Sequence, residues 1–388
     1  MRVVVTGQAL IQRRLSGSGT PDRVGEVLRD CDIAFANFEV AGEAPGAWAT
    51  KVKTVHAAPA EAMRALAALG LSALGHANNH AFDLGPPGIA AAHAAAAAAG
   101  LPLAGSGSDA EEAGRAAIVE TPGGKVAVIA ADLGPQPEIV YAGAGRAGIN
   151  PLRMRRVVSV PSATLAMLSR LVEELGDGAL QRSRAAVGYR GDMPESGIEL
   201  FGTAVAAGEA TASRMVPDAG DLAALSARIA EARARAERVL VCLHSHHWKA
   251  DWGDMPDWFI DLCRTLVEKG ADLVVGHGVP VLQRIAFHEG RPIFGSLGSF
   301  VFHTERAATY DRERPEVWDG ALCRCRFGDG GECEAIEVLP VAVGRPEMDA
   351  GGLSPAPAVL KGAAASRVME RLTAGLSGTD REKVRLVG

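Results

Sequence analysis

The sequence predicts an α/β fold, on three observations. Short apolar runs alternate with helical patterns over residues 1–300, the later helices each lead into a strand, and unusual polar clusters sit where strands end. The predicted strands are Val3–Val5, Ile33–Ala36, Leu71–Leu74, Lys125–Ala130, Val239–Leu243, Leu273–Val275 and Pro292–Phe294. Each is a brief β-branched or aliphatic run, of the kind that a sheet buries on both faces. Pro59–Leu69 reads as a helix, and so does Pro87–Ala99, with proline near its start and Gly100 just past its end. In Asp221–Glu237 the residues Leu222, Leu225, Ile229, Ala232 and Ala236 form one stripe, and Asp254-Met255-Pro256 opens a helix that Gly270 stops.

Residues 131–215 break the rhythm. They are rich in Gly, Pro, Ser and Arg, and helical only around Ala163–Leu175, which predicts an insertion or cap. Beyond Phe302, strand patterns at Ala321–Phe327 and Glu334–Val341 and a helix near Ala365–Leu372 predict a C-terminal extension, 304–388, packed on a domain of residues 1–303. Ser16–Thr20 reads as a flexible loop at one edge of the crevice.

Composition narrows the function. The 388 residues are 48% apolar and 22% charged, which excludes a disordered or fibrous chain. Forty basic against forty-six acidic residues give a net charge of −6 without a run of like charges, so nucleic acid is not an expected partner. Met1-Arg2 passes directly into Val3–Val5, and no stretch reaches about 18 uninterrupted apolar residues. The expectation is a cytoplasmic protein with no membrane partner. Six cysteines in so long a chain read as core residues rather than disulfides, and Cys323-Arg324-Cys325 places two thiols on one strand face.

The chemistry falls at strand ends. Gly7-Gln8 follows the first strand, Asn37-Phe38-Glu39 the second and His76-Ala77-Asn78-Asn79-His80 the third. His244-Ser245-His246-His247 follows the fifth and Gly276-His277-Gly278 the sixth. In an open α/β sheet the carboxyl ends of the strands form the ligand crevice, so these segments converge on one site. Histidine, asparagine and glutamate there suit Zn, Mn or Fe. Trp248 and Trp252, just beyond the histidines, are candidates for an apolar wall or lid over a substrate, and Trp258 for the core face of the next helix.

Five blocks, Asp32–Glu39, His76–Gly85, Val241–His246, Lys269–Gln283 and Gly290–Phe302, resemble the CapA-like proteins. These are named for bacterial poly-γ-glutamate capsule synthesis and have a calcineurin-like metallophosphoesterase fold. The resemblance implies an α/β/β/α sandwich with a metal or acid/base centre where the loops meet. It implies that Asn79-His80 supplies a metal ligand and a general acid, that His244 and His246 are ligands or contacts of the reacting group, and that Glu39 is the acid of its block. The sequence departs from the family at four places: Gln8 stands for a metal-binding Asp, Pro280 for a second His, Ser299 for an Asn and Gly295 for a Tyr. A neutral amide gives no anionic oxygen to bridge two ions. The expectation is therefore a single divalent ion (Zn, Mn or Fe) held among Glu39, Asn79, His244, His246 and His277, or no metal at all, rather than a dinuclear centre.

The implied function is chemistry on a peptide-like or γ-glutamyl-type amide. The catalytic candidates are His80, His244, His246 and Glu39, and the substrate-binding ones Gln8, Asn37, Asn78, Trp248 and Trp252. The step is amide hydrolysis or transfer, or proton transfer at an α-carbon such as peptide epimerisation. The alternatives are a single-metal phosphoesterase and a non-catalytic peptide- or polymer-binding protein.

Overall fold

A computed structural model describes residues 1–16, 22–52, 54–136, 138–189 and 197–387. The expected loop at Ser16–Thr20 falls, beyond Ser16, outside them. The chain divides into a larger unit, Met1–Leu152 with Gly220–Gly388, and a smaller one, Arg153–Ala219.

The main strands begin with β1 (Arg2–Leu10), β2 (Ile33–Phe38), β3 (Ala73–Gly75), β4 (Leu103–Ala104), β5 (Ala117–Thr121) and β6 (Gly124–Asp132). The smaller unit holds β7 (Met154–Val160), β8 (Gly197–Leu200), β9 (Thr203–Ala207) and β10 (Ala212–Pro217). Then come β11 (Arg238–His244), β12 (Leu273–His277), β13 (Leu282–His288), β14 (Arg291–Leu297) and β15 (Ser299–Phe302). The last are β16 (Asp319–Phe327), β17 (Cys333–Ala342), β18 (Ala358–Val359) and β19 (Val384–Leu386).

Two sheets build the larger unit. One has the order β18-β17-β16-β1-β2-β3-β4, with β15 also on β1 and β19 on β17; the other runs β13-β14-β12-β11-β6-β5. Strands β1 to β4 are mutually parallel, as are β6, β11, β12 and β14. Strand alternation sorts their side chains. Val3, Val5, Ile33 and Phe35 face inward onto Val128, Leu240, Val275 and Phe294, while Val4, Ala34 and Ala36 face outward onto Val27, Leu28, Met63 and Leu66 of the helices Arg23–Arg29 and Ala60–Leu69. The helix Asp257–Glu268 buries Phe259, Leu262, Cys263 and Leu266 and packs on β12 and β14. The result is the expected helix, sheet, sheet, helix layering.

Two expectations change. The C-terminal region is no appendage, because β16 pairs antiparallel with β1 and carries β17 beside it, so 304–388 completes the first sheet. Cys323, Cys325 and Cys333 are free thiols in the core between the sheets. The insertion is narrower than 131–215 and more ordered than its composition implies. It holds the sheet β8-β9-β7-β10 and the helices Ser162–Glu174 and Asp177–Ala186. Residues 131–152 belong to the larger unit. No helix among the described residues is long and apolar enough to cross a membrane.

His76, at the end of β3, is fully buried and serves the fold. Its Nε2–H donates to the Val40 carbonyl (2.8 Å) and its Nδ1 accepts from the Ser106 hydroxyl (2.7 Å). Burial pushes its pKa down from 6.5 to about 3. The folded state therefore holds the ring neutral while the unfolded chain protonates below pH about 6.5, so its contribution is present above that pH and is lost on acidification, by up to about 1.4 kcal/mol per pH unit. Thermal melts should show Tm falling from pH 6.5 to 4, less steeply in His76→Gln; a pH-independent Tm would contradict this.

Candidate metal centre and cavity

The parallel strands place their carboxyl ends at one rim. In the first sheet Gln8 is level with Asn37, and Asn37 with Gly75; in the second, Asp132, His244 and His277 stand side by side. Glu39 lies one residue beyond β2, Asn79 and His80 follow β3, and His244 ends β11 with His246 two residues on.

Four donor atoms converge there. The Nε2 of His244 lies 2.8 Å from Asn79 Oδ1, 3.1 Å from His246 Nε2 and 3.6 Å from Glu39 Oε1. Ligands about 2.0–2.1 Å from a tetrahedral ion stand about 3.3 Å from one another, so the spacing fits one coordination sphere. Glu39, His244 and His246 form the metal-competent group among the described residues. Two further observations support the fit. Glu39 Oε2 is buried with no hydrogen-bond partner, and burial drives the glutamate up to about 8. Burial also drives His246 down to about 3 and His244 well below its ordinary value, which keeps both imidazoles in the neutral, ligating form. Asn37 stands 3.5 Å from the far nitrogen of His244, in the place of an outer partner that orients a ligand ring.

A cavity of about 370 Å³ opens over this cluster. Of the expected site residues, Gln8, Glu39, Asn79, His80, His246 and Trp248 line it. Trp248 stacks on His246 with ring centroids 5.0 Å apart.

Four expected residues lie elsewhere. His277 is turned between the sheets, its Nε2–H donating to the Thr6 carbonyl (3.1 Å) and its Nδ1 facing Cys242 Sγ (3.4 Å), so neither nitrogen points at the cluster. Asn37 is buried behind His244, and Asn78 is spent on the Phe38 carbonyl and the His80 N–H. Trp252 sits behind Trp248 and under Arg314 rather than on the cavity wall, and Trp258 is half-buried, edge-on to His247. Gln8 lines the cavity, yet its Oε1 accepts from the Gly278 N–H (2.8 Å).

The structure adds groups that the sequence reading does not single out. Asp83 Oδ2 accepts from His80 Nδ1–H (2.7 Å) and from the His56 N–H (2.8 Å), and its Oδ1 pairs with the buried Lys51 ammonium (2.5 Å), which also donates to the Asn79 carbonyl. The one sequence signal for this dyad is the three-residue spacing of His80 and Asp83 inside the block His76–Gly85. Asp132, opposite His244 in register, accepts from Gly134 N–H and the Tyr141 hydroxyl, and burial raises it to about 7.

Residues 3–304 match the family described as bacterial capsule synthesis protein PGA_cap. The chain belongs to this family. Its fold is the metallophosphoesterase-like sandwich, in agreement with the two-sheet core. The uncharacterized proteins y4sH and y4uA of Sinorhizobium fredii are each 27% identical to it over 337 residues, 82% of this chain and 69% of theirs. The PGA biosynthesis protein CapA of Bacillus subtilis is 33% identical over 116 residues, 30% of this chain and 27% of its own length. A hypothetical protein from Thermus thermophilus overlays at a TM-score of 0.41 with 13% identity, over 88% of this chain and 98% of its own, too distant to carry an argument. Within the capsule synthesis family, this chain brings one ion's donors together and leaves Gln8 and His277 committed to other bonds.

Elemental analysis of chelator-free protein should find about one equivalent of Zn, Mn or Fe, abolished in a His244→Ala, His246→Ala double variant and retained in His277→Ala. Gly278 has φ +104°, and an added Cβ would sit 2.2 Å from the Ser245 carbonyl oxygen between the two histidines. Gly278→Ala should therefore also weaken metal binding, by about tenfold or more. Two equivalents, or loss of metal in His277→Ala, would contradict the assignment.

Proposed function

We propose that the protein hydrolyses an amide bond in a peptide-like or γ-glutamyl substrate, with one divalent ion at Glu39, Asn79, His244 and His246 and with His80 as the acid/base. The observation that carries this reading is the convergence of those four donor atoms beside a carboxylate-held histidine in one cavity. Family membership and the printed name of the Bacillus subtilis relative support the amide: a γ-linked polyglutamate is joined by amide bonds. The chemistry such an ion supplies when bound is Lewis-acid polarisation of a carbonyl oxygen.

The chain's own residues do the rest. Asp83 takes the Nδ1–H of His80 and so leaves Nε2 as the nitrogen that accepts the proton of the attacking water and returns it to the amine as the C–N bond breaks. The Oε1 of Gln8 is held by Gly278, which leaves its amide N–H groups for a substrate carbonyl. Trp248, Phe302 and Tyr310 give apolar surface to a cavity otherwise lined mostly by polar side chains, for the aliphatic part of a substrate. Phosphate-ester hydrolysis is disfavoured, since a second ion would need donors from Gln8 and His277 that the sheets already use.

A second reading, proton transfer at a peptide α-carbon, would use the same carboxylate-held His80 ring on a C–H in place of a water. The two separate on γ-glutamyl and α-peptidyl p-nitroanilides assayed in D2O. Amide cleavage supports hydrolysis; α-deuterium uptake without cleavage replaces it with the second reading. His80→Ala should lower kcat by about 10²–10⁴-fold and Asp83→Asn by about tenfold or more, with metal content unchanged. Faster turnover of an aryl phosphate, or binding without any turnover, would overturn the proposal.

A further inference from the structure

His56 stands in the coil before the short strand Ala57–Ala58, and its backbone is pinned on both sides: its N–H donates to Asp83 Oδ2 (2.8 Å) and its carbonyl accepts from Ala41 N–H (2.9 Å). The ring lines the cavity, yet the residue is only 6% exposed. Among the described residues no hydrogen bond reaches either ring nitrogen, and Nδ1 is wholly buried without a partner. The rings of His76, His80, His244, His246 and His277 all have one. Nδ1 is sealed off, so Nε2 is the ring nitrogen that can meet a partner from outside the protein.

The tautomer follows from the burial. A neutral imidazole carries one N–H and one lone pair. A buried N–H with no acceptor is the more expensive orphan, so the proton belongs on Nε2, the nitrogen that is not sealed off from the cavity. Burial pushes His56 down to about 3, so the ring stays neutral throughout the physiological range. His80 has the opposite arrangement, with its proton on Nδ1 toward Asp83 and its lone pair on Nε2. The cavity thus holds a fixed donor and a fixed acceptor edge to face, at 61° between ring planes.

We propose that His56 is a catalytic hydrogen-bond donor, its Nε2–H binding the substrate carbonyl oxygen and stabilising the negative charge that develops there. The assignment rests on carbonyl chemistry taking place in this cavity and serves either form of it. In hydrolysis, water oxygen bonds to the carbonyl carbon, the C=O π pair moves onto oxygen opposite His56, and the water proton goes to His80 Nε2. In α-proton transfer, His80 takes the C–H proton and the electron pair it leaves becomes an enolate whose oxygen faces the same donor. The His56 proton stays on nitrogen in both cases.

The test uses the full-length protein labelled with ¹⁵N-histidine, with γ-L-glutamylglycine as probe and His56→Gln to assign the resonance. The expected free state has Nε2–H and a bare Nδ1 at pH 7.5, and the Nε2 proton moves downfield when the probe binds. His56→Ala should weaken probe binding by about tenfold and lower kcat on the p-nitroanilides by about 10²–10³-fold, while His56→Gln, which keeps a donor, should recover most of both. A proton on Nδ1, or unchanged probe affinity in His56→Ala, overturns the assignment even if another variant fails to fold. Probe binding with the downfield shift but no turnover leaves the donor standing and sinks the hydrolytic reading; no binding by the wild-type protein sinks both.

Discussion

The architecture depends on two sheets being locked together at the carboxyl ends of their strands. The His277 N–H to the Thr6 carbonyl and the Gly278 N–H to the Gln8 side chain both cross from one sheet to the other at the rim. Glycines keep the strands beside the lock closely packed within each sheet: a Cβ on Gly276 would lie 2.1 Å from the Gly295 carbonyl oxygen of the neighbouring strand, and one on Gly7 2.4 Å from that of Gly298. Without this lock Glu39 and Asn79, carried by the first sheet, would have no fixed distance to His244 and His246, carried by the second. A single-ion site built from two sheets has no tolerance for slippage, because ligand distances must hold to within about 0.2 Å.

A second dependence runs through Asp83. Its buried carboxylate receives Lys51, the His80 ring and the His56 backbone, so one side chain joins Lys51 and His56 to the turn after β3. A buried carboxylate is tolerated when each oxygen is matched in this way. The match also orients the His80 ring and brings His56 against it. Lys51 reinforces the same turn through the Asn79 carbonyl, which ties His80 to Asn79 beside it in sequence.

What was legible in the sequence follows from which signals are local. The central parallel strands of both sheets were legible because buried parallel strands are unbroken apolar runs, while the antiparallel edge strands Ala117–Thr121 and Leu282–His288 were not; Glu39, Asn79, His80, His244 and His246 stood out because polar residues interrupt those runs at the ends. His56 and Lys51 were not, for they lie in a coil without periodicity and reach the site only through contacts 27–32 residues away. His277 misled for the opposite reason. Its position at a strand end is correct, but the direction of its ring is set by Thr6 and Cys242, far away in sequence. The sheet β8-β9-β7-β10 was hidden because its strands are half-exposed and rich in Ala, Ser and Arg, a composition shared with loops. The entry of β16 and β17 into the first sheet is a topological choice that an alternating strand pattern does not encode.

Gln8 and His277 share one physical feature. Both lie at the carboxyl ends of their strands, and both give hydrogen-bonding capacity to the lock between the sheets. In the proposed reaction, negative charge developing on a substrate oxygen would meet one ion together with the polar side chains of the cavity, Gln8 and His56 among them. The amide of Gln8 has no anionic oxygen to offer a cation, and with its Oε1 held by Gly278 its N–H groups are the part that the proposal leaves to a substrate carbonyl.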